Sequence, residues 1–227
     1  SAFSLTPVGD LWSYDGNAWS EVTQLGTPPS LRLFVGYLYD PVRNRLVVHG
    51  GNVDFVSASL ADLYAFDITS STWALLHDGT GTAPSGRFSA MMQYDATNDR
   101  YLLFGGHADQ GYENDVWAFD PNQGTWTQAR DGDNFTGRPL GCLNNSAEIP
   151  ADYVDQDLSA PQPRGGGVFA VTGANEVCLF GGETDCSDHT DDVWRLDLGA
   201  STWTEVYGAR TGESCLRRNE ACSCLCL

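Results

Sequence analysis

Lysine is absent from this 227-residue chain, and all twelve basic residues are arginine against thirty carboxylates, a net charge of −18. A surface so negative repels phosphate backbones, which argues against nucleic acid and anionic lipid. It suits a cationic protein partner, metal ions or a salty exterior, or it simply keeps the chain soluble. No apolar run approaches the roughly 18 residues of a membrane span, so no membrane span is expected. Residue 1 is serine rather than methionine, which a removed signal peptide or a trimmed chain explains equally well. Recognisable nucleophile motifs are missing too. None of His49, His77, His107 and His189 sits beside one.

What is plentiful is glycine, with 25 residues, and tryptophan, with seven, which point to many turns and repeated aromatic anchors. Seven cysteines, Cys142, Cys178, Cys186, Cys215, Cys222, Cys224 and Cys226, fit an oxidising, extracellular compartment better than cytosol. Their odd number leaves at least one thiol free, intermolecular or metal-bound. Cys222, Cys224 and Cys226 alternate, so on a strand they would face one side and need disulfide partners elsewhere, such as Cys215, Cys178 or the insertion described below. Soft-metal binding is the other use of such a cluster. Asn134-Phe-Thr is a glycosylation sequon, and Asn145 is read as a second candidate although Asn145-Ser-Ala has alanine where the sequon needs Ser or Thr.

Four segments share one pattern: Asp10-Leu-Trp-Ser-Tyr-Asp15, Asp62-Leu-Tyr-Ala-Phe-Asp67, Asp115-Val-Trp-Ala-Phe-Asp120 and Asp192-Val-Trp-Arg-Leu-Asp197. Each is followed by a tryptophan: Trp19, Trp73, Trp126 and Trp203. Three are preceded by a double glycine, Gly50-Gly51, Gly105-Gly106 and Gly181-Gly182, and each pair by a short apolar run. An arginine opens each unit: Arg32, Arg87, Arg164 and, less clearly, Arg210. The period near 50 residues predicts an array of small sheets, each of four short strands a to d. The strands fall at 32–39, 45–49, 62–66 and 72–76, then 87–94, 100–104, 115–119 and 125–129, then 164–172, 176–180, 192–196 and 202–206.

Tandem double glycines followed by a spaced aromatic pair resemble the kelch repeat. The resemblance implies an all-β propeller of four-stranded blades around a central channel. A lone blade has two apolar faces and must stack on neighbours to bury them. The chain then reads as a single domain: outer strands of a split blade over 1–29, blades over 30–76, 84–129 and 164–207, an inserted loop over 130–163, and Cys-rich inner strands or a tail over 208–227. The ends fit either a closed four-blade ring or a fragment of a six- or seven-blade propeller. Against a period near 50, the 76-residue step between the second and third glycine pairs marks an insertion of about 25 residues, polar enough for an exposed loop.

In a propeller, b–c and d–a loops emerge on one face, and kelch binding modules commonly hold their partner there. Arg32, Arg87, Arg164 and Arg210 should open on that side. They could grip a carboxylate-bearing ligand, or each could pair with a nearby acid and tie the fold together. Glu183, Asp185, Asp188 and His189, with His107 and Asp109 from the neighbouring loop, could hold a divalent ion, though the spacing is not that of an EF-hand. Cys142 and Cys186 share this face and form a candidate disulfide. Two functions result: a secreted acidic module that binds or scaffolds proteins through this face, or a metal- or small-ligand-binding propeller within an extracellular enzyme. Self-assembly through incomplete end strands is a further expectation.

Overall fold

A computed structural model describes residues 8–54, 57–133, 159–184 and 189–208. Arg210, Asp185, Asp188, Asn134, Asn145 and every cysteine except Cys178 lie outside the described residues, so the expectations resting on them have no structural counterpart here. No described residue is helical.

The repeat units become separate antiparallel sheets. The N-terminal half-blade is a hairpin of β1 (Trp12–Tyr14) and β2 (Trp19–Glu21). β3 (Leu25–Gly26) then runs parallel to the edge of the first full blade, made of β4 (Gly36–Asp40), β5 (Arg45–His49), β6 (Leu63–Asp67) and β7 (Thr72–His77). The second full blade holds β8 (Arg87–Phe88), β9 (Met91–Asp95), β10 (Arg100–Ala108), β11 (Gly111–Asp120) and β12 (Thr125–Arg130). The third repeats it with β13 (Arg164–Gly165), β14 (Val168–Gly173), β15 (Glu176–Thr184), β16 (His189–Asp197) and β17 (Thr202–Tyr207). The innermost strands β4, β9 and β14 lie side by side, so the blades radiate from a common axis.

Strand alternation decides what packs between blades. Tyr94, Tyr101, Leu103, Trp117, Phe119 and Trp126 of the second blade bury against Leu38, Val47, Leu63 and Ala65 of the first. The opposite face of the second blade, with Met91, Leu102, Phe104 and Val116, receives Phe169, Leu179, Trp194 and Trp203 of the third. The strand-d tryptophan of the second and third blades meets the residue before the preceding blade's glycine pair. His49 faces Trp126 with centroids 5.7 Å apart and planes at 76°, and Phe104 faces Trp203 at 5.5 Å and 76°. The final Asp of each repeat motif caps the c–d turn, as Asp120 does by accepting the Asn122 and Gln123 amides at 2.8 and 3.1 Å.

Expected strand ends and observed ones differ at the glycine pairs. Gly105-Gly106 and Gly181-Gly182 were expected to end strand b. Instead β10 and β15 pass through them with a register shift, and the ladder resumes at Gly106↔Glu113 and Gly182↔Thr190. A β-bulge absorbs the extra residue and the pairing continues. The expected loop 107–114 is therefore mostly a tight hairpin.

His49 occupies a position held by Phe104 and Phe180 in the other blades. It is fully buried with neither ring nitrogen in a well-formed hydrogen bond. Burial first, then the positive charges of Arg87 and Arg32 and the neighbouring His77, push its pKa down to about 3. The unfolded chain takes up a proton near pH 6.5 while the folded one does not, so stability is lost as pH falls below that value. The loss is about 2 kcal/mol at pH 5. Urea unfolding of wild type and His49→Phe at pH 7 and pH 5 should show that extra loss in wild type alone; parallel losses in both proteins would dismiss this assignment.

Candidate functional site: the loop face

Each blade opens with the same clamp. Arg32, Arg87 and Arg164 engage Asp62, Asp115 and Asp192, the first residues of the repeat motif, through both guanidinium nitrogens; the second contacts measure 3.1, 3.0 and 2.9 Å. Each Nε donates to the carbonyl two residues back, Ser30, Ser85 or Gln162, at 2.9, 3.1 and 2.9 Å. Each Nη1 also donates to the first carbonyl of the glycine pair, Gly50, Gly105 or Gly181, at 3.0, 3.0 and 3.4 Å. The three side chains are only 5%, 1% and 0% exposed. Their donors are thus spent on strand c and the glycine pair, which ties strand a to the rest of its blade and leaves no fork turned toward a carboxylate ligand.

The aspartate serves a second donor. Trp117 and Trp194 Nε1 donate to Asp115 and Asp192, both at 2.7 Å. Where the first blade has Tyr64 instead, the Arg32 guanidinium lies over its ring, 5.7 Å from the centroid. Burial alone would raise the Asp192 carboxyl, but the hydrogen bonds and charge of Arg164, with Trp194 and Thr190, outweigh it and hold its pKa below the usual range.

The backbone of these arginines joins the blades. Gly51 donates its amide to the Arg87 carbonyl at 2.9 Å, and the Arg87 amide donates to Leu60 at 3.0 Å. Two residues on from each arginine the chain turns left-handed, at Phe34 (φ 54°), Ser89 (φ 53°) and Gly166 (φ 68°). Ser89 N–H donates to Phe34 at 2.7 Å and Gly166 N–H to Ser89 at 3.0 Å, a hydrogen-bonded rim shared by the three blades.

An aromatic cluster stands on this rim. Phe34 is 53% exposed, in a backbone conformation unfavourable to a bulky side chain. Its ring centroid lies 6.2 Å from Phe88. Phe88 stacks on His107 at 4.7 Å, and His107 meets Tyr112 edge-on at 4.8 Å. The b–c and d–a segments carry Asp54, Asp78, Asp109 and Asp131, all exposed. Sequence reasoning passed over Phe34. The available signal was an aromatic residue where the other two repeats place Ser89 and Gly166.

Of the proposed ion ligands, Asp185 and Asp188 lie outside the described residues. Glu183 and His189 are cross-strand partners in the third blade, His107 is stacked on Phe88, and Asp109 accepts the Ser59 amide at 2.9 Å from the first blade. Among the described residues no three His, Cys, Asp or Glu side chains are grouped to hold a metal. Cys178 is a free thiol on strand β15. Among the described residues no helix is long and apolar enough to cross a membrane.

This arrangement has counterparts. The KLHDC2/KLHL20/DRC7 Kelch-repeats domain matches residues 7–147. The chain is 27% identical over 192 residues to Tip elongation aberrant protein 1 of Schizosaccharomyces pombe, covering 83% of this chain and 14% of that protein. It is 26% identical over 207 residues to Kelch repeat-containing protein 2 of Saccharomyces cerevisiae, covering 85% of this chain and 20% of that protein. It is 28% identical over 207 residues to the Leucine-zipper-like transcriptional regulator 1 homolog of Drosophila melanogaster, covering 85% and 18%. The chain therefore spans at most a fifth of the length of these relatives. With its glycine-pair bulges, its Asp-x-aromatic strands and its indoles buried between blades, the chain belongs to the kelch-repeat family of β-propellers.

Proposed function

We propose that the b–c and d–a loop face of this domain is its protein-binding surface, and that the partner presents a basic segment with an apolar or aromatic residue. Kelch domains generally mediate protein–protein interactions; the particular face and the partner's charge are our reading. The observation that carries it is the exposed, conformationally strained Phe34 at the head of the Phe34–Phe88–His107–Tyr112 cluster, on a domain whose b–c and d–a segments carry exposed aspartates. Strain held at a surface position marks a functional candidate. Aromatic faces and carboxylates together suit an arginine or lysine side chain, which gains from both. With Arg32, Arg87 and Arg164 already committed to their aspartates, the surface has the opposite polarity to an arginine ring that would take a carboxylate.

Peptides selected from a random displayed library against the whole chain supply the test. Arg/Lys-rich peptides should lose at least about tenfold in affinity to Phe34→Asp, a hot-spot-sized effect. They should be indifferent to Gln123→Arg, in the c–d turn at the far end of the blade. Selected peptides that are acidic, or that respond to Gln123→Arg and not to Phe34→Asp, would reverse the assignment.

A further inference from the structure

Three repeat-equivalent residues form the inner edge of the loop face, and they differ in size. Phe34, Ser89 and Gly166 each lie two residues ahead of an innermost strand, β4, β9 or β14. Those strands pack side by side, so the three residues border the opening of the common axis. Their backbones make a short ladder. The Phe34 carbonyl accepts the Ser89 amide at 2.7 Å, and the Ser89 carbonyl accepts the Gly166 amide at 3.0 Å. Chains joined this way run about 5 Å apart, so the three positions are neighbours. Their side chains build a step. Phe34 raises an exposed ring at one end. Ser89, half-buried, adds only a hydroxyl. Gly166 is exposed and adds nothing, and a Cβ built there would meet no atom within 4 Å.

The step offers neutral acceptors beside an aromatic wall. Each of the two rim carbonyls has accepted one amide and keeps a second lone pair, and the Ser89 hydroxyl is a further acceptor. The carboxylates of Asp62, Asp115 and Asp192 contribute nothing here, because each is held by its arginine. A guanidinium fits this set. It is planar and weakly hydrated, so it can lie on an aromatic face while its N–H groups donate sideways to several oxygens. An ammonium is compact and strongly hydrated, and cannot do both at once. The chain's charge of −18 draws either cation, so the geometry is what selects between them.

We infer that this step takes an arginine side chain of the partner, its guanidinium on the Phe34 ring and its donors on the Ser89 hydroxyl and the rim carbonyls, and that lysine is a poor substitute. The inference rests on the binding surface proposed above and narrows its ligand from a basic residue to arginine.

A Phe34-dependent peptide from the displayed library is the probe, remade with each arginine changed in turn to lysine and titrated calorimetrically into the whole chain. One exchange should weaken binding at least about tenfold, the size of a hot spot. Exchanges at arginines held only by exposed charge attraction should cost no more than about threefold. Ser89→Ala and Phe34→Leu each remove one half of the site, and each should shrink the preference for arginine to about threefold or less, because the coupled partner is gone. Gly166→Asn suits the left-handed backbone and fills the gap, so it should weaken the arginine peptide at least about tenfold. Lysine peptides that bind as tightly at every position overturn the inference and leave the surface reading standing. So does a preference for arginine that survives unchanged in both Ser89→Ala and Phe34→Leu, or a selected set that carries lysine and no arginine. A library that yields no peptide sensitive to Phe34→Asp takes the surface and the arginine site down together. The lysine exchange is read on wild-type protein, so it decides the matter even where a variant folds poorly.

Discussion

Arg87→Leu is expected to cost about 3–5 kcal/mol of folding stability, the range for removing one partner of a buried ion pair. The Arg87 side chain is 1% exposed and its partner Asp115 9%, so the orphaned carboxylate would stay in a low-dielectric site with only Trp117 as a donor. The carbonyls of Ser85 and Gly105 would lose their guanidinium donors as well. Against a typical total of about 5–15 kcal/mol, one such change threatens the whole domain. Arg164→Leu should behave alike, because Arg164 and Asp192 are 0% and 2% exposed. Arg32→Leu should cost less, since Asp62 is 22% exposed and water can solvate it. Arg195→Leu is the control. Its 3.7 Å pair with Glu176 lies between half-exposed groups, and exposed pairs contribute about 0–1 kcal/mol. Urea denaturation of the four variants should give that order. If Arg87→Leu proved no worse than Arg195→Leu, the clamps would hold nothing together. Lysine is no substitute, because one ammonium cannot reach two carboxylate oxygens and two carbonyls from a planar fork.

Gly105→Ala should be one of the most damaging single-methyl additions among the described residues. At φ +59° the added Cβ would sit 2.3 Å from the Arg164 carbonyl oxygen of the next blade, and backbone cannot yield as a flexible side chain can. Strain in the left-handed region adds about 1–2 kcal/mol, and forced repacking typically another 1–3 kcal/mol, so a loss near 3–5 kcal/mol is expected. Gly50→Ala meets the Arg87 carbonyl at the same 2.3 Å and should match it. Gly181→Ala separates the two causes. It shares the motif position and φ +60°, but its nearest obstacle is the Thr190 carbonyl at 2.9 Å, within its own blade. It should retain most of the backbone penalty and little of the clash. Thermal melts placing all three glycines at one cost would mean that close approach of the next blade does not govern these positions. Gly50 and Gly105, the first glycines of the first two pairs, are therefore where the following blade's arginine backbone comes nearest.

Much of this fold was legible in the residue string. The Asp-x-aromatic segments, the following tryptophans and the apolar runs placed strand d, the start of strand b and the end of strand c within a residue or two, because strand periodicity and Asx-capped turns are local. The arginine at the start of each unit was legible as a recurring feature, and its two uses could be stated. Which use applied was not legible: Arg87 and Asp115 are 28 residues apart, and only the register of strands a, b and c brings them together. The hairpin through Gly105-Gly106 was missed because a glycine pair ends a strand or bulges it with equal local ease, and pairing with Glu113 decides between them. Of the loop face, Asp109 was singled out, as a candidate ion ligand, and Phe34 was not. Its significance lies in a backbone angle and an exposure that no spacing encodes.

By itself the sequence determined the class of fold, the number of full sheets among the described residues and the indoles that bury between them, because each is repeated at near-constant spacing. Tertiary structure alone decided that three arginines are consumed as clamps and that Phe34 leads an aromatic cluster. These depend on strand register and on how each blade sits on its neighbour, which the spacing of the repeat does not encode.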